Sequence, residues 1–198
     1  MKRFPVLAAG AVFFATSLVA PAARAAALKI GAPAPDFTLP AASDGKAVAL
    51  KDLLAKSKAV AVVFVATQCP VSNAYNTRMA ALGKEYAAKG IPLVGINSNK
   101  TEPATEVKEH AEKHGFTFPV LKDDGNKIAD AYGATRTPEV FVLDLKGNLL
   151  YHGRIDENQD DPQGVKSPDL RNALDAVLSG RPVPAAETKA FGCSIKRV

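Results

Sequence analysis

Two cysteines, Cys69 and Cys193, carry the most distinctive chemistry in this chain. Cys69 stands in the segment 67–72 and is followed by Pro70, which suits the first position of a helix because it has no N–H to leave unpaired. A thiol at a helix N-terminus faces unpaired backbone N–H groups, which stabilise its anion. The pattern therefore predicts a reactive, accessible thiolate at Cys69. The alternative is a buried and inert cysteine, a common state of free thiols.

Cys193 is the one other thiol of the chain and hence the one candidate within it to pair with Cys69. It lies in residues 181–198, where Pro182 and Pro184 predict an extended tail. Three arrangements are open: a redox-active pair, a static disulfide, and two thiols that do not meet. A static bridge would close a loop of more than about a hundred residues and stabilise the fold by about 4–5 kcal/mol. Either bridge requires the two Cα atoms to lie within about 7 Å.

The elements that must position Cys69 are a strand before it and a helix after it. Residues 58–66 form an apolar run rich in valine, typical of a strand buried on both faces in the middle of a parallel sheet. Residues 70–88 carry a large apolar side chain every three or four positions, which predicts one continuous helix. That stripe comprises Val71, Tyr75, Met79, Leu82 and Tyr86. Cys69 is therefore expected at the carboxyl end of a strand, where α/β sheets place their functional sites.

The rest of the chain predicts an α/β fold built around one mixed sheet. Further strands are expected near residues 36–39, 47–50, 91–96, 118–121, 140–143 and 149–155, and further helices near 103–115, 127–132 and 168–180. A strand–helix–strand unit followed by a strand–strand–helix unit is the thioredoxin arrangement. The strand pair before it and the extended tail 181–198 after it are additions to that arrangement.

The first residues predict a secretory signal peptide. Lys2 and Arg3 precede an apolar run at 4–20, and Ala23-Arg24-Ala25 supplies a small-residue cleavage site. We expect cleavage after residue 25, an exported periplasmic or secreted protein, and a single thioredoxin-like domain over residues 26–198. The alternative is an uncleaved membrane anchor, although the run falls short of the roughly 20 apolar residues of a bilayer span and has prolines at both ends.

Cleavage also changes the charge that a partner would meet. The signal contains three basic residues and no acid, so the net charge of +5 falls to +2. The mature segment has no basic run, which argues against nucleic acid as a partner. We expect no stable membrane insertion after removal of the signal.

From about Ile30 to its end, the chain resembles the alkyl hydroperoxide reductase/thiol-specific antioxidant (redoxin) family, within its peroxiredoxin-like branch. The segments that carry the resemblance are residues 31–37, Cys69-Pro70 with Arg78 further along the helix, 97–99, Thr137-Pro138, 153–156 and 192–196. The resemblance implies a cis peptide bond between Thr137 and Pro138 that faces Cys69. It also implies an active site lined by Thr67, Pro70, Ser72, Arg78, Thr137 and Pro138.

Departures from the family pattern bear on the reaction. Thioredoxins carry a second cysteine three residues after the first, where this chain has Ser72, so a resolving thiol must come from elsewhere. The proline and threonine that typical peroxiredoxins place before their cysteine would fall at positions occupied by Val62 and Ala66, which weakens the case for efficient peroxide reduction. In some peroxiredoxins the resolving cysteine lies near the C-terminus, and Cys193 matches that placement.

The chain is thus predicted to be a thiol-disulfide oxidoreductase in which Cys69 attacks a disulfide or a peroxide and Cys193 resolves the product. Its expected partners are an external thiol reductant or a disulfide-bearing protein, with small peroxides as a further substrate class. No organic cofactor is implied. His110 and His114 have a spacing that can bind metal, but without a third ligand we expect no metal site. The alternative function is a non-catalytic binding module in which Cys69 and Cys193 form a structural bridge.

Overall fold

The computed structural model describes Met1 and residues 28–198. The predicted signal peptide therefore lies outside the described residues, except for its first residue. Within the described part, none of the helices combines the length and the apolar character needed to cross a bilayer.

The predicted strands and helices occur in the predicted order, and residues 50–54, 136–137 and 193–194 form further elements. The strands are β1 Thr38–Pro40, β2 Ala47–Ala49, β3 Ala59–Phe64, β4 Leu93–Asn97, β5 Val120–Lys122, β6 Arg136–Thr137, β7 Glu139–Asp144, β8 Leu149–Gly153 and β9 Cys193–Ser194. The helices are α1 Leu50–Leu54, α2 Pro70–Ala74, α3 Asn76–Ala88, α4 Ala104–Lys113, α5 Lys127–Tyr132 and α6 Asp169–Leu178, with a short 3₁₀ turn at Pro162–Gly164. The predicted N-terminal strand pair is the antiparallel hairpin β1–β2.

The core is a mixed sheet with the strand order β5–β4–β3–β7–β8. Every residue of β3 is buried, because apolar clusters cover both faces of the sheet. β3 pairs in parallel with β4, from Ala61 opposite Leu93 to Phe64 opposite Ile96, and antiparallel with β7 on its other side. The expected central position of this strand is confirmed, but its surroundings are parallel on one side only.

The prediction of one continuous helix over residues 70–88 is wrong. The segment forms α2 and α3, which meet at Tyr75. The Tyr75 N–H bonds to the Ser72 carbonyl three residues back, a 3₁₀-type contact that interrupts the α-helical pattern. The Tyr75 ring is buried, and its hydroxyl donates to the Asp156 backbone carbonyl at 3.0 Å. Fixing this side chain against the loop after β8 accounts for the local change in helix geometry.

The C-terminal tail docks on the body of the protein as a strand. β9 pairs antiparallel with β6, so that Cys193 stands opposite Thr137 and Ser194 opposite Arg136. Ile195 follows and is buried in one of the two apolar clusters. The tail is extended, as predicted, and this pairing places it beside the segment that carries Pro138.

Candidate active site

Cys69 occupies the predicted junction between β3 and α2. It is the N-cap residue of α2, and Pro70 takes the first helical position. The Ser72 N–H donates to Cys69 Sγ at 3.3 Å, and the Cys69 thiol donates to the Thr137 carbonyl at 3.3 Å. Ser72 occupies the place of a second thioredoxin cysteine, and its hydroxyl accepts from the Ala66 N–H at 3.2 Å. This hydrogen bond therefore stabilises the turn between β3 and α2 that contains Cys69.

The structure brings both cysteines to this junction. Thr137 contacts Cys69 through its carbonyl and pairs with Cys193 across β6 and β9. The peptide bond between Thr137 and Pro138 is cis, as the resemblance implied. Both thiols are free, with Cys69 buried and Cys193 half-buried. Thr137 therefore contacts the Cys69 sulfur through its carbonyl and stands opposite Cys193 in the sheet.

The expectation of an accessible thiol at Cys69 is wrong, because only 3% of the residue is exposed. The reason is the docked tail. Gly192 approaches the Thr137 carbonyl and Val71 so closely that it leaves no room for a Cβ atom. Phe191, just before it, lies against Tyr75 with ring centroids 6.3 Å apart. The tail that brings Cys193 to Cys69 therefore also shields Cys69 from solvent.

The two thiols differ in acidity. Burial acts to raise the pKa of Cys69, but hydrogen bonding by the Cys193 side chain and the Ser72 N–H acts in the opposite direction, and the pKa lies below the ordinary value. The pKa of Cys193 is raised, first by burial and then by its hydrogen bond and charge interaction with Cys69. When one proton leaves the pair, the anion therefore resides on Cys69.

This difference predicts two distinct pH profiles of alkylation in the reduced protein. Because the thiolate is the nucleophile, each rate should rise with pH through the pKa of its own thiol. We expect the midpoint for Cys69 below, and that for Cys193 above, the midpoint of an unperturbed thiol. Iodoacetamide labelling followed by peptide mass spectrometry measures both. In Cys193→Ala the Cys69 midpoint should move up, because the hydrogen bond from the residue 193 side chain to the Cys69 anion is lost. Equal midpoints in the unmodified chain would contradict the assignment.

The loop before Cys69 is held by two glutamates of the segment 102–106. The Glu102 carboxylate accepts from the Thr67 N–H at 2.8 Å and from the Gln68 N–H at 3.1 Å. The Thr67 hydroxyl bonds to Glu106, which also accepts from the Gln68 side chain at 3.1 Å. Glu102 carried no signal in the sequence, since it stands in a charged stretch typical of a solvated surface.

The resemblance implied that Arg78 lines the active site, but its side chain bonds to the loop after β8. Its guanidinium donates to both Asp156 carboxylate oxygens at 2.8 Å and to the carbonyls of Asn158 and Gln159. These bonds tie α3 to the loop after β8, and none of them reaches the Cys69 sulfur. The arginine therefore organises the neighbourhood of Tyr75 rather than the thiolate.

Two further charged side chains, Arg154 and Glu139, bond to groups other than the Cys69 sulfur. Arg154 pairs with Asp169 at 2.6 Å, not with Asp156. Glu139, which follows Pro138, accepts from the backbone N–H groups of Thr135 and Arg136 and lies 2.7 Å from His152. It therefore shapes the segment that contains the cis bond.

Two histidines lie side by side at the C-terminal end of α4, one within the helix and one as its C-cap residue. His110 and His114 have ring centroids 4.4 Å apart, and His110 lies 3.3 Å from the Asn76 side-chain oxygen. Among the described residues, no cluster of three or more metal-ligating side chains is present.

Known proteins share this fold and part of this sequence. A model of the AhpC/TSA family matches residues 30–152. Thiol-disulfide oxidoreductase ResA of Bacillus anthracis is 32% identical over 123 residues, which cover 62% of this chain and 68% of that protein.

Two solved structures extend the comparison. A hypothetical protein from Sinorhizobium meliloti 1021 superposes with a TM-score of 0.81 at 34% identity, over 87% of this chain and 97% of that one. Peroxidoxin BcpB from Mycobacterium tuberculosis superposes with a TM-score of 0.62 at 25% identity, over 77% of this chain and 97% of that one. The predicted thioredoxin-like fold is confirmed.

Proposed function

The chain belongs to the AhpC/TSA family and is an oxidoreductase of the thioredoxin fold, and we propose that Cys69 and Cys193 are its redox-active thiol pair. The observation that carries this proposal is the pairing of β6 with β9. It sets Cys193 opposite Thr137, whose carbonyl contacts the Cys69 sulfur. Reversible disulfide chemistry requires two thiols that lie close together. It also requires that one of them is stabilised as a thiolate, as at a helix N-terminus.

The reaction proceeds in two exchanges. When the tail that covers it moves aside, the Cys69 thiolate attacks one sulfur of a substrate disulfide, forms a mixed disulfide and releases the other sulfur as a thiolate. The Cys193 thiol then loses its proton and attacks the Cys69 sulfur, forming the Cys69–Cys193 disulfide and releasing the second substrate thiol. The substrate gains two electrons and two protons, and the protein loses them. An external thiol reductant restores the dithiol by the reverse chemistry.

The substrate class that fits best is a disulfide-bearing protein. Relatives named thiol-disulfide oxidoreductase support this choice. Small peroxides are a secondary class, in which Cys69 would attack a peroxide oxygen and Cys193 would resolve the sulfenic acid with loss of water. The apolar side chains of Val62 and Ala66, both buried, offer a peroxide no hydrogen bond. We therefore propose that disulfide exchange is faster than peroxide reduction.

Mass spectrometry of the non-reduced protein tests the pair. After equilibration with oxidised glutathione, the chain should be about 2 Da lighter, the loss of two hydrogens, and digestion should release one peptide pair linked through Cys69 and Cys193. Cys69→Ser and Cys193→Ser should each show a glutathione adduct or no change, and never the lighter form. Two free thiols in the unmodified chain under these conditions would contradict the proposed redox pair.

A second candidate is a binding module in which the two cysteines form a static bridge. The burial of Cys69 at 3% exposure favours it, because a sealed disulfide resists exchange. The two functions differ in reversibility. A redox-active pair is reduced by millimolar glutathione without unfolding, whereas a static bridge is reduced only under denaturing conditions.

We also propose export, on the basis of the predicted signal peptide in residues 1–25. An oxidising compartment is where a protein that exchanges disulfides finds its partners. The test is the mass of the mature chain recovered from a periplasmic or secreted fraction, which should begin at Ala26. Recovery of the full-length chain with its N-terminus in the membrane fraction would instead support the uncleaved anchor.

A further inference from the structure

We propose that Asn99 and Glu102 are positioning residues that couple the loop carrying Cys69 to the tail carrying Cys193, and thereby set the stability of the disulfide between them. This proposal rests on the proposed redox pair. It adds a structural feature that sets the equilibrium between the dithiol and the disulfide forms of that pair. Both side chains act through the segments that carry the cysteines, not on the sulfur atoms themselves.

The first half of the coupling is the contact of Glu102 with the loop. Its two carboxylate oxygens accept the backbone N–H groups of Thr67 and Gln68, the two residues before Cys69. Only 1% of Glu102 is exposed. Burial acts to raise its pKa, but the hydrogen bonds from Thr67, Asn97, Asn99 and Gln68 outweigh it, so the pKa lies below its usual range. Glu102 is therefore an ionised, fully engaged anchor for this loop.

The second half is the contact of Asn99 with the tail. The Asn99 side-chain amide donates to Glu102 Oε1 at 2.8 Å, and its side-chain oxygen accepts the Lys196 N–H at 2.7 Å. The Lys196 carbonyl in turn accepts the Lys100 N–H at 3.0 Å. A continuous path of hydrogen bonds thus runs from the Gln68 N–H through Glu102 and Asn99 to Lys196, three residues after Cys193.

A buried lysine makes this arrangement rigid. The Lys122 ammonium donates to Asn97 Oδ1 at 3.0 Å and to the Asn99 carbonyl at 2.7 Å. Asn97 also donates to Glu102. Asn97, Asn99, Glu102 and Lys122 are all buried, so each hydrogen bond lies in a low-dielectric surrounding and the loss of one leaves a costly unpaired group.

These hydrogen bonds fix the position of the tail that carries Cys193 relative to the loop that carries Cys69, although the two segments are far apart in sequence. β9 is held to β6 on one side, and the Ile195 N–H bonds to the Thr135 carbonyl. Asn99 holds the tail on the other side. While both attachments are intact, the Cys193 sulfur stays beside Cys69. When either attachment breaks, the tail samples more positions, the effective concentration of the two thiols falls, and the disulfide becomes easier to reduce.

The test is the equilibrium in which protein dithiol and oxidised glutathione give protein disulfide and two reduced glutathiones. Lys196→Pro removes the N–H that Asn99 accepts, and Lys196→Ala retains it. Because both variants lack the lysine charge, a difference between them is not an effect of that charge. Asn99→Ala, which leaves the backbone at residue 196 unchanged, separates loss of the hydrogen bond from the fixed φ of proline. We expect the equilibrium constant of Lys196→Pro to be about tenfold lower, which corresponds to a reduction potential about 30 mV less negative. The pKa of Cys69 should also be higher in Lys196→Pro, because its hydrogen bond from Cys193 weakens.

Asn99→Ala removes the same hydrogen bond by deleting its acceptor, the Asn99 side-chain oxygen. Its matched control is Asn148→Ala, which removes an asparagine amide that bonds to Asp144 in the β7–β8 turn. Asn99→Ala should lower the equilibrium constant and Asn148→Ala should leave it unchanged. If Asn99→Ala fails to fold, the Lys196 pair decides. Equal constants for Lys196→Pro and Lys196→Ala would overturn the inference while leaving the redox pair intact. Absence of any disulfide in the unmodified chain would instead overturn the proposed function.

Discussion

Replacement of Cys193 by serine is expected to slow the catalytic reduction of a protein disulfide by on the order of a hundredfold, because an intramolecular thiol is replaced by a dilute external one. Cys69 would still attack the substrate, but no neighbouring thiol would release it. The Cys69 mixed disulfide should therefore accumulate. The measurement is turnover of a disulfide-bearing peptide with glutathione as reductant, with the trapped adduct identified by mass spectrometry under non-reducing conditions.

Two further variants make this expectation specific. Cys69→Ser should abolish turnover, and no mixed disulfide with the substrate should form at residue 69. Ser194→Ala is the matched control, since it changes the next residue of β9, whose side chain is exposed, and keeps the strand. It should turn over at the rate of the unmodified chain. A Cys193→Ser variant that matched the unmodified rate would show that Cys193 takes no part in the reaction.

The sequence predicted the elements that local pattern determines. The valine-rich run at 58–66 became the buried strand β3, and Pro70 after Cys69 opened a helix. These features depend on residues close together in the chain, so that spacing and residue type suffice. The placement of the Cys69 thiol at a helix N-terminus follows from the same local information.

What the sequence could not predict depends on contacts between distant segments. The break at Tyr75 arises because its hydroxyl bonds to the Asp156 backbone, and no periodicity within the helix records that contact. The burial of Cys69 comes from the pairing of β9 with β6, two short strands with little pattern of their own. Glu102 looked like surface charge and is instead a buried anchor. In each case the deciding partner lies tens of residues away.

Gly192 is the residue through which the tail covers Cys69, and its replacement by alanine should uncover the sulfur. A Cβ atom at this position would overlap the Thr137 carbonyl oxygen and would lie 2.9 Å from the Thr137 carbonyl carbon. Both are backbone atoms that cannot rotate away. The Gly192 φ of +133° is in addition a conformation that residues with a side chain rarely adopt. The tail would therefore have to leave its docked position and take Cys193 with it.

The expected result is an increase on the order of tenfold or more in the rate at which a bulky maleimide modifies Cys69, because local opening of the tail becomes favourable. The experiment is best done in the Cys193→Ser background, where Cys69 is the sole cysteine. The rate is recorded as a function of pH in both variants and compared at its plateau, where the Cys69 thiol is ionised, so that it reports access rather than acidity. Gly45→Ala is the matched control, since Gly45 has a φ of +74° and no atom near its Cβ position. It carries the same class of backbone penalty in a hairpin turn without displacing the tail. If Gly192→Ala and Gly45→Ala gave equal rates, the tail would not be what shields Cys69, and access would have to be explained by motion elsewhere around the helix N-terminus.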